Sequence, residues 1–380
     1  MRTAVVILNW NTEDFLRKFL PELISSVDKV GGAEVVVADN GSTDGSIALM
    51  REMFPQVRTI AFEKNHGFTG GYNLAFQELY GTADAPLKDA PEYFLLINSD
   101  IEVSDRWLQP LVEWMDSHPD CGACAPKLHS WQEKDMFEYA GAAGGYLDCF
   151  GYPFCRGRVL KKLEKDEGQY DTPANVLWAT GACLMVRSKV YAKLGGLDNR
   201  FFAHMEEIDL CWRMQLEGWK VTVVPSSVVY HVGGGTLPAE SPFKLFLNFR
   251  NNLLMMDNNL AKTYALELYH KGLSAQKAAS KAVRRASLRI YFRKVLDAVA
   301  CLGYMLTFRL QLAESVNRAH QEYEKLMKRL KTEDIVGYLE RFGKKGAVHG
   351  LYGKSIVIRS MVKGKNILSS VREQDFIKVY

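Results

Sequence analysis

Tyr93-Phe94-Leu95-Leu96-Ile97-Asn98-Ser99-Asp100 is the stretch that decides the fold. Five uninterrupted apolar residues are too few for a helix, and their aromatic and branched side chains suit a strand buried on both faces, as in a parallel sheet covered by helices. Open α/β sheets hold their ligands beyond the carboxyl ends of the strands. Asn98-Ser99-Asp100 stands at that end, which makes the triplet a candidate anchor for a diphosphate and Asp100 a candidate metal ligand.

Toward the amino terminus the same pattern repeats. Strands are predicted near 3–9, 34–39, 57–62 and 93–97, and helices near 13–27, 44–54 and 70–80, a recurring βα unit. This alternation predicts an α/β chain with a doubly wound, Rossmann-like sheet whose nucleotide lies at the strand ends. Each strand end carries small polar residues: Asn9-Trp10-Asn11, then Asp39 to Ser46, then Asn65 to Asn73. Convergence of these loops makes Asn9, Asn11, Asp39, Asn65, Gly67, Gly70 and Asn73 candidate nucleotide contacts, with Asn98 beside them. Asp39 is placed to accept a hydrogen bond from a base imide, and Asp44 suits a helix cap. Glycines leading into a helix bring backbone N–H groups against a ribose or diphosphate, although the loop matches neither GxxxxGK[ST] nor GxGxxG.

Toward the carboxyl terminus, a helix is predicted near 104–117 and the pattern is mixed through 235. Tyr146, Phe150, Tyr152 and Phe154 serve either local packing or stacking on a sugar. Trp178 to Val186 reads as a loop followed by a buried strand. Glu206, Glu207 and Asp209 put three carboxylates within four residues ahead of a helix. Crowded carboxylates raise one another's pKa. If one faces a cleft while another caps the helix and meets Arg213, the set separates into a poised base and a structural anion.

Composition fits this picture. A chain of 380 residues, 47% hydrophobic and 24% charged, is an ordinary globular protein of two or three domains. Its seven scattered cysteines fit a reducing compartment better than a disulfide framework. Cys121 and Cys124 lack a second ligand pair, so they read as part of a small-residue strand. The first residues run straight into Thr3 to Leu8 with no basic, apolar leader, and the expectation is a cytoplasmic protein. The net charge of +4 divides into −10 over residues 1–260 and +14 over 261–380.

Taken in order, Val5 to Asn11, Asp39 to Ser46, Asn65 to Asn73, Asn98 to Asp100, Thr180 to Val186, Glu206 to Asp209 and Val229 to Gly234 resemble a family 2 glycosyltransferase of the GT-A fold, close to the bacterial rhamnosyltransferase-like branch. The resemblance spans residues 3–260. It implies a GT-A catalytic domain over 1–240, with a nucleotide-sugar half at 1–100 and an acceptor half at 101–240. It further implies an inverting transfer from a nucleoside-diphosphate sugar, dTDP-rhamnose or a UDP-sugar, to a lipid-linked glycan. Galactofuranosyl or hexosyl transfer, and a non-catalytic sugar-nucleotide-binding partner, are the alternatives. Carried over by position, Glu207 is the general base with Glu206 and Asp209 beside it. Asp100 and His231 meet Mg²⁺ or Mn²⁺, and Asp39 reads the base. Two positions depart from the family pattern: Asn98 stands where aspartate opens the metal motif, and Glu207 where aspartate is common.

Residues 241–380 form a basic, mostly helical region outside most of that resemblance. Lys277, Lys281, Arg284, Arg285, Arg289, Arg293 and Lys294 lead into Val295 to Phe308, fourteen residues whose single charge is Asp297. That run is too short to span a bilayer. It suits an interfacial helix on an anionic membrane, peripheral on the inner face of the plasma membrane, a helical hairpin on the catalytic domain, or a homo-oligomer contact. No module for nucleic acid accompanies the charges.

Overall fold

A computed structural model describes residues 1–233, 241–364, 367–377 and 379. Gly234, the last residue of the Val229 motif, and the expected boundary at 240/241 lie outside the described residues.

The chain divides into two compact units, one comprising 1–145, 155–202 and 220–233, the other 146–154, 203–219 and 234–380. The first is built on β1 (Thr3–Asn9), β2 (Ala33–Asp39), β3 (Arg58–Ala61), β4 (Tyr93–Ile97), β5 (Ile101–Val103), β6 (Cys121–Ser130), β11 (Ala174–Asn175), β12 (Cys183–Arg187) and β13 (Lys220–His231); short β7 to β10 fall between residues 145 and 163, a stretch divided between the two units. The large sheet runs β11-β13-β6-β12-β4-β1-β2-β3, and β5 pairs with β13. β4, β1, β2 and β3 are parallel neighbours, as are β13 and β6, while β12 runs antiparallel to both β4 and β6. The sheet is therefore doubly wound and mixed. All five residues of β4 are buried, between β1 and β12. Truncating Leu95 or Leu96 to alanine would cost about 2–5 kcal/mol.

Three helices match their sequence expectation closely: α1 (Glu13–Val27), α2 (Ser46–Met53) and α3 (Gly67–Tyr80). The predicted 104–117 helix begins later, as α4 (Leu108–Ser117), because Ser104 to Trp107 form a turn in which the Trp107 N–H meets the Ser104 carbonyl. Cys121 and Cys124 are buried in β6, and burial pushes the Cys124 thiol well up.

The second unit is helical: α6 (Glu206–Leu216) follows the short α5 (Ser188–Lys193) of the first unit, and then come α7 (Pro242–His270), α8 (Ala275–Leu306), α9 (Leu310–Leu326), α10 (Thr332–Phe342) and α11 (Ile356–Lys363). Trp212 of α6 donates to Thr263 Oγ1 of α7 at 2.9 Å. The aromatic stretch is resolved in favour of packing within this unit: Phe154 lies 5.5 Å from Tyr146 and 5.6 Å from Tyr352, Arg289 sits over Phe150, and Arg293 sits over Tyr152.

The helical tail corrects one expectation. Four of its seven expected lipid-facing cations are engaged inside the protein. Arg293 is buried and paired with Asp297 at 2.8 Å, Arg285 pairs with Glu267 at 2.7 Å, Lys294 pairs with Glu324, and Arg289 covers the Phe150 ring. Among the described residues no helix is long and apolar enough to cross a membrane.

Candidate active site

The three loops do converge, and side chains tie them together. Asn9, last in β1, donates from Nδ2 to Asp39 Oδ2 at 2.8 Å and to Ser42 Oγ at 3.1 Å. Asp39 Oδ1 accepts the Ser42 N–H at 2.9 Å, so both oxygens of this buried carboxylate hold the loop, each with a lone pair to spare. Asn11, in the left-handed region at φ 53°, accepts the Thr43 N–H at 2.7 Å. Asp44 accepts from Glu13 N at the start of α1 and Ser46 N at the start of α2, both at 3.0 Å, although the N-cap of α2 is Gly45, one residue after the position expected for a cap.

Asn40 joins the second loop to the third. Its Nδ2 donates to Asn65 Oδ1 and the Gly67 carbonyl, both at 3.0 Å, and its Oδ1 accepts the His66 N–H at 3.0 Å. Gly67 has φ 73°, and a Cβ there would stand 2.5 Å from the Phe202 ring, so glycine is required. Gly70 lies in the first turn of α3. Asn73 stands apart from this set: its amide joins Leu197 O at 2.7 Å, Asn199 Oδ1 at 2.9 Å and the Tyr191 hydroxyl at 2.7 Å.

At the end of β4, Asp100 and His231 come together. Asp100 Oδ1 is 3.2 Å from His231 Nε2, and Oδ2 accepts the Gly233 N–H at 3.2 Å. Asn98 Nδ2 lies 3.4 Å from the same ring nitrogen. On the other side of the imidazole, Nδ1 is 3.4 Å from Glu138 Oε1 and has no well-formed hydrogen bond among the described residues. All three ionisable groups are buried. Burial alone would lower the His231 pKa, but the Asp100 and Glu138 carboxylates carry it up to about 10, while His231 holds Asp100 below its ordinary value against its own burial. Asp100 and the His231 nitrogen facing it are donors of the kind a divalent cation completed by phosphate oxygens takes, once the ion displaces the proton that the two carboxylates hold on the ring. Among the described residues no group of three or more His, Cys, Asp and Glu has metal-holding geometry.

The third acidic set lies in the helical unit. Three non-glycine residues, Phe202, His204 and Met205, have φ between 65° and 72°, and α6 starts immediately after them. Asn251 of α7 holds this turn, donating to Ala203 O at 2.7 Å and His204 O at 2.8 Å. Asp209 is wholly buried, accepting from Asn258 at 2.9 Å, Asn259 at 2.8 Å and Arg213 Nε at 2.6 Å. Glu206 and Glu207 differ: the Oε2 of each is buried with no hydrogen-bond partner among the described residues. Burial, then the neighbouring Glu207, pushes Glu206 well up, and burial pushes Glu207 up to about 7. Asp209 is thus the structural carboxylate of the three, while Glu206 and Glu207 each keep an unsatisfied oxygen.

Sequence reasoning gave no role to Asn40, Glu138, Asn251, Asn258 or Asn259. Glu138 gave no signal, being one acid in an irregular stretch. The asparagines did: Asn251-Asn252 and Asn258-Asn259 flank Leu253-Leu254-Met255-Met256, and amides flanking an apolar helical run must find buried partners.

Residues 4–195 match the model of glycosyl transferase family 2. The chain is 28% identical over 237 residues to the N-acetylglucosaminyl-diphospho-decaprenol L-rhamnosyltransferase of Mycobacterium tuberculosis, covering 60% of this chain and 75% of the relative. It is 24% identical over 234 residues to the rhamnosyltransferase WbbL of Escherichia coli K12, covering 60% and 82%. The solved structure of GalNAc-T7 with UDP, GalNAc and Mn²⁺ superposes with a TM-score of 0.50 at 18% identity, over 72% of this chain and 52% of that one. The likeness shows the GT-A fold, and this chain spans about half the length of that transferase.

Proposed function

The chain belongs to glycosyl transferase family 2, and from that premise we propose that it transfers a sugar, with inversion, from a nucleoside-diphosphate donor to a hydroxyl of a lipid-linked glycan in cell-surface polysaccharide synthesis. Rhamnose from dTDP-rhamnose is the leading donor and a UDP-sugar the second. The M. tuberculosis relative, named for a decaprenol-linked acceptor and L-rhamnose, and the E. coli rhamnosyltransferase support this choice.

The observation that carries the reading is the state of Glu207. A general base works best with a pKa near the working pH, and Glu207, pushed to about 7 with one unpartnered oxygen, has that property. It removes the proton of the acceptor hydroxyl as the new bond forms. Glu206, beside it and itself pushed well up by burial and by Glu207, is the neighbouring carboxyl of the pair. Asp209 is a positioning residue that fixes α6 through Asn258, Asn259 and Arg213. In the donor loops, Asn9 and Asn11 hold the Asp39 loop toward the base and ribose, while Asn65 accepts the Gly67 N–H at 2.7 Å and so fixes the glycine-rich start of α3, Gly67 and Gly70, beside the ribose and diphosphate. Asn98, Asp100 and His231 would hold the diphosphate and its Mg²⁺ or Mn²⁺. The bound cation supplies charge neutralisation of the departing diphosphate.

The test is release of nucleoside diphosphate from dTDP-, UDP- and GDP-sugars, with Mg²⁺, Mn²⁺ or EDTA. Turnover of one donor, lost with EDTA and in Asp100→Ala, supports the assignment. Turnover that survives both refutes the metal role, and binding without turnover in the presence of membrane-extracted acceptor refutes the transferase reading.

A further inference from the structure

Helix α8 is inside out over its carboxyl-terminal half. Its buried face carries Arg293 and Asp297, while its exposed face carries Leu288, Phe292, Val295, Val299, Leu302 and Leu306, at alternating spacings of four and three that form one stripe. Phe308, 89% exposed and at φ 56°, follows in the turn to α9. Of twenty large apolar side chains exposed among the described residues, ten fall between 288 and 310.

Polar contacts fix this rotation of the helix. Arg293 donates to Asp297 at 2.8 Å and to the Phe150 carbonyl at 2.9 Å, and lies 4.0 Å from the Tyr152 ring centre, while His320 stands 3.2 Å from the other Asp297 oxygen. Turning the apolar stripe inward would expel a buried, satisfied ion pair, so the stripe faces outward by construction. Continued toward the amino terminus, the same stripe becomes basic: Lys277, Lys281 and Arg284 are exposed at the same four-and-three spacing. Exposed apolar patches of this extent mark interaction surfaces.

We propose that this face of α8, together with the α8–α9 turn, rests on an anionic lipid bilayer, with Leu302, Leu306 and Phe308 entering the acyl boundary and Lys277, Lys281 and Arg284 on the head groups. A second copy fits poorly. Paired parallel, the stripes would set cation against cation, and paired antiparallel, the basic half of each would cover the apolar half of the other. An anionic interface satisfies both halves at once. The inference does not depend on the transfer reaction, since vesicle binding needs neither donor nor turnover.

The test is sedimentation of the full chain with vesicles of phosphatidylglycerol and phosphatidylcholine, and with phosphatidylcholine alone. The expected result is binding to the first and weak binding to the second. Lys281→Gln/Arg284→Gln lowers binding about twenty-five-fold, at about fivefold per cation. Leu302→Gln/Leu306→Gln/Phe308→Gln lowers it roughly tenfold or more, and circular dichroism of both variants matches the parent because every changed side chain is exposed. The proposal is overturned if the parent stays in the supernatant with phosphatidylglycerol, if the apolar triple variant binds undiminished, or if the parent is a dimer that the triple variant converts to a monomer without vesicle binding.

Discussion

Replacing Glu207 by glutamine should make the protein more stable and nearly inactive, and the gain should depend on pH in a set way. In the folded chain the carboxyl has a pKa of about 7, against 4.5 as a free glutamate, because burial disfavours its anion. Below about pH 4.5 both folded and unfolded chains hold the proton, and the group costs nothing. Between about 4.5 and 7 the unfolded chain ionises first, so stability falls as pH rises. Above 7 the penalty is constant, at about 3 kcal/mol from about 1.4 kcal/mol per pH unit. Sharing of charge with Glu206 makes this an upper value for the single replacement.

Glu207→Gln keeps the shape and removes the charge. Urea unfolding at pH 5 and pH 8 should therefore show little difference from the parent at the lower pH and a gain approaching 3 kcal/mol at the higher. Turnover should fall about 10²–10⁴-fold, the usual share of a general base, with donor affinity preserved. The acidic limb of the parent's kcat/KM profile should lie near pH 7. A variant less stable than the parent at pH 8, or one that turns over at the parent's rate, refutes the reasoning.

Asp209→Ala should destabilise by about 3–5 kcal/mol in urea melts, since it removes the buried acceptor shared by Arg213 and two asparagine amides. Gly67→Ala forces a left-handed alanine against Phe202 and should cost about 1–3 kcal/mol and weaken nucleotide binding in calorimetry. Glu138→Gln removes the outer partner of His231 and should weaken Mn²⁺ binding about 10–100-fold while leaving metal-free melting close to the parent. Asn251→Ala frees the Ala203 and His204 carbonyls, lets the turn before α6 relax, and should move the acidic limb of the rate profile below pH 7 as Glu207 regains water.

The parts of this protein legible in its sequence are those where chemistry is local. The Tyr93 to Ile97 run could only be a covered strand, and it is the middle of the sheet. The polar loops at strand ends were visible because strand and loop alternate. What stayed hidden was which acid does what. Asp209 and Glu207 are two residues apart and equally acidic on paper. They differ because Asn258 and Asn259, some fifty residues on, reach one and not the other. The tail misled in the same way. Arg293 counted as one more cation, although its i,i+4 spacing to Asp297, the single acid of an apolar run, already suggested a closed pair.

The position of Glu207 also decides between two opposing effects. The amino end of a helix favours an anion by about 0.3–1 kcal/mol, rising to about 2 when partly buried, which should lower the pKa of an acid in the first turn. Burial opposes this with about 3 kcal/mol, and burial wins. Such a result needs a helix that cannot tilt its first turn toward water. Asp209 supplies that constraint one turn in, bound to two amides and a guanidinium, and Asn251 supplies it before the helix by holding the Ala203 and His204 carbonyls, where His204 and Met205 are left-handed. The structural carboxylate and the strained turn are thus what keep the neighbouring carboxyl out of water, so the raised pKa of Glu207 belongs to the fold of α6 on α7 and not to the glutamate alone.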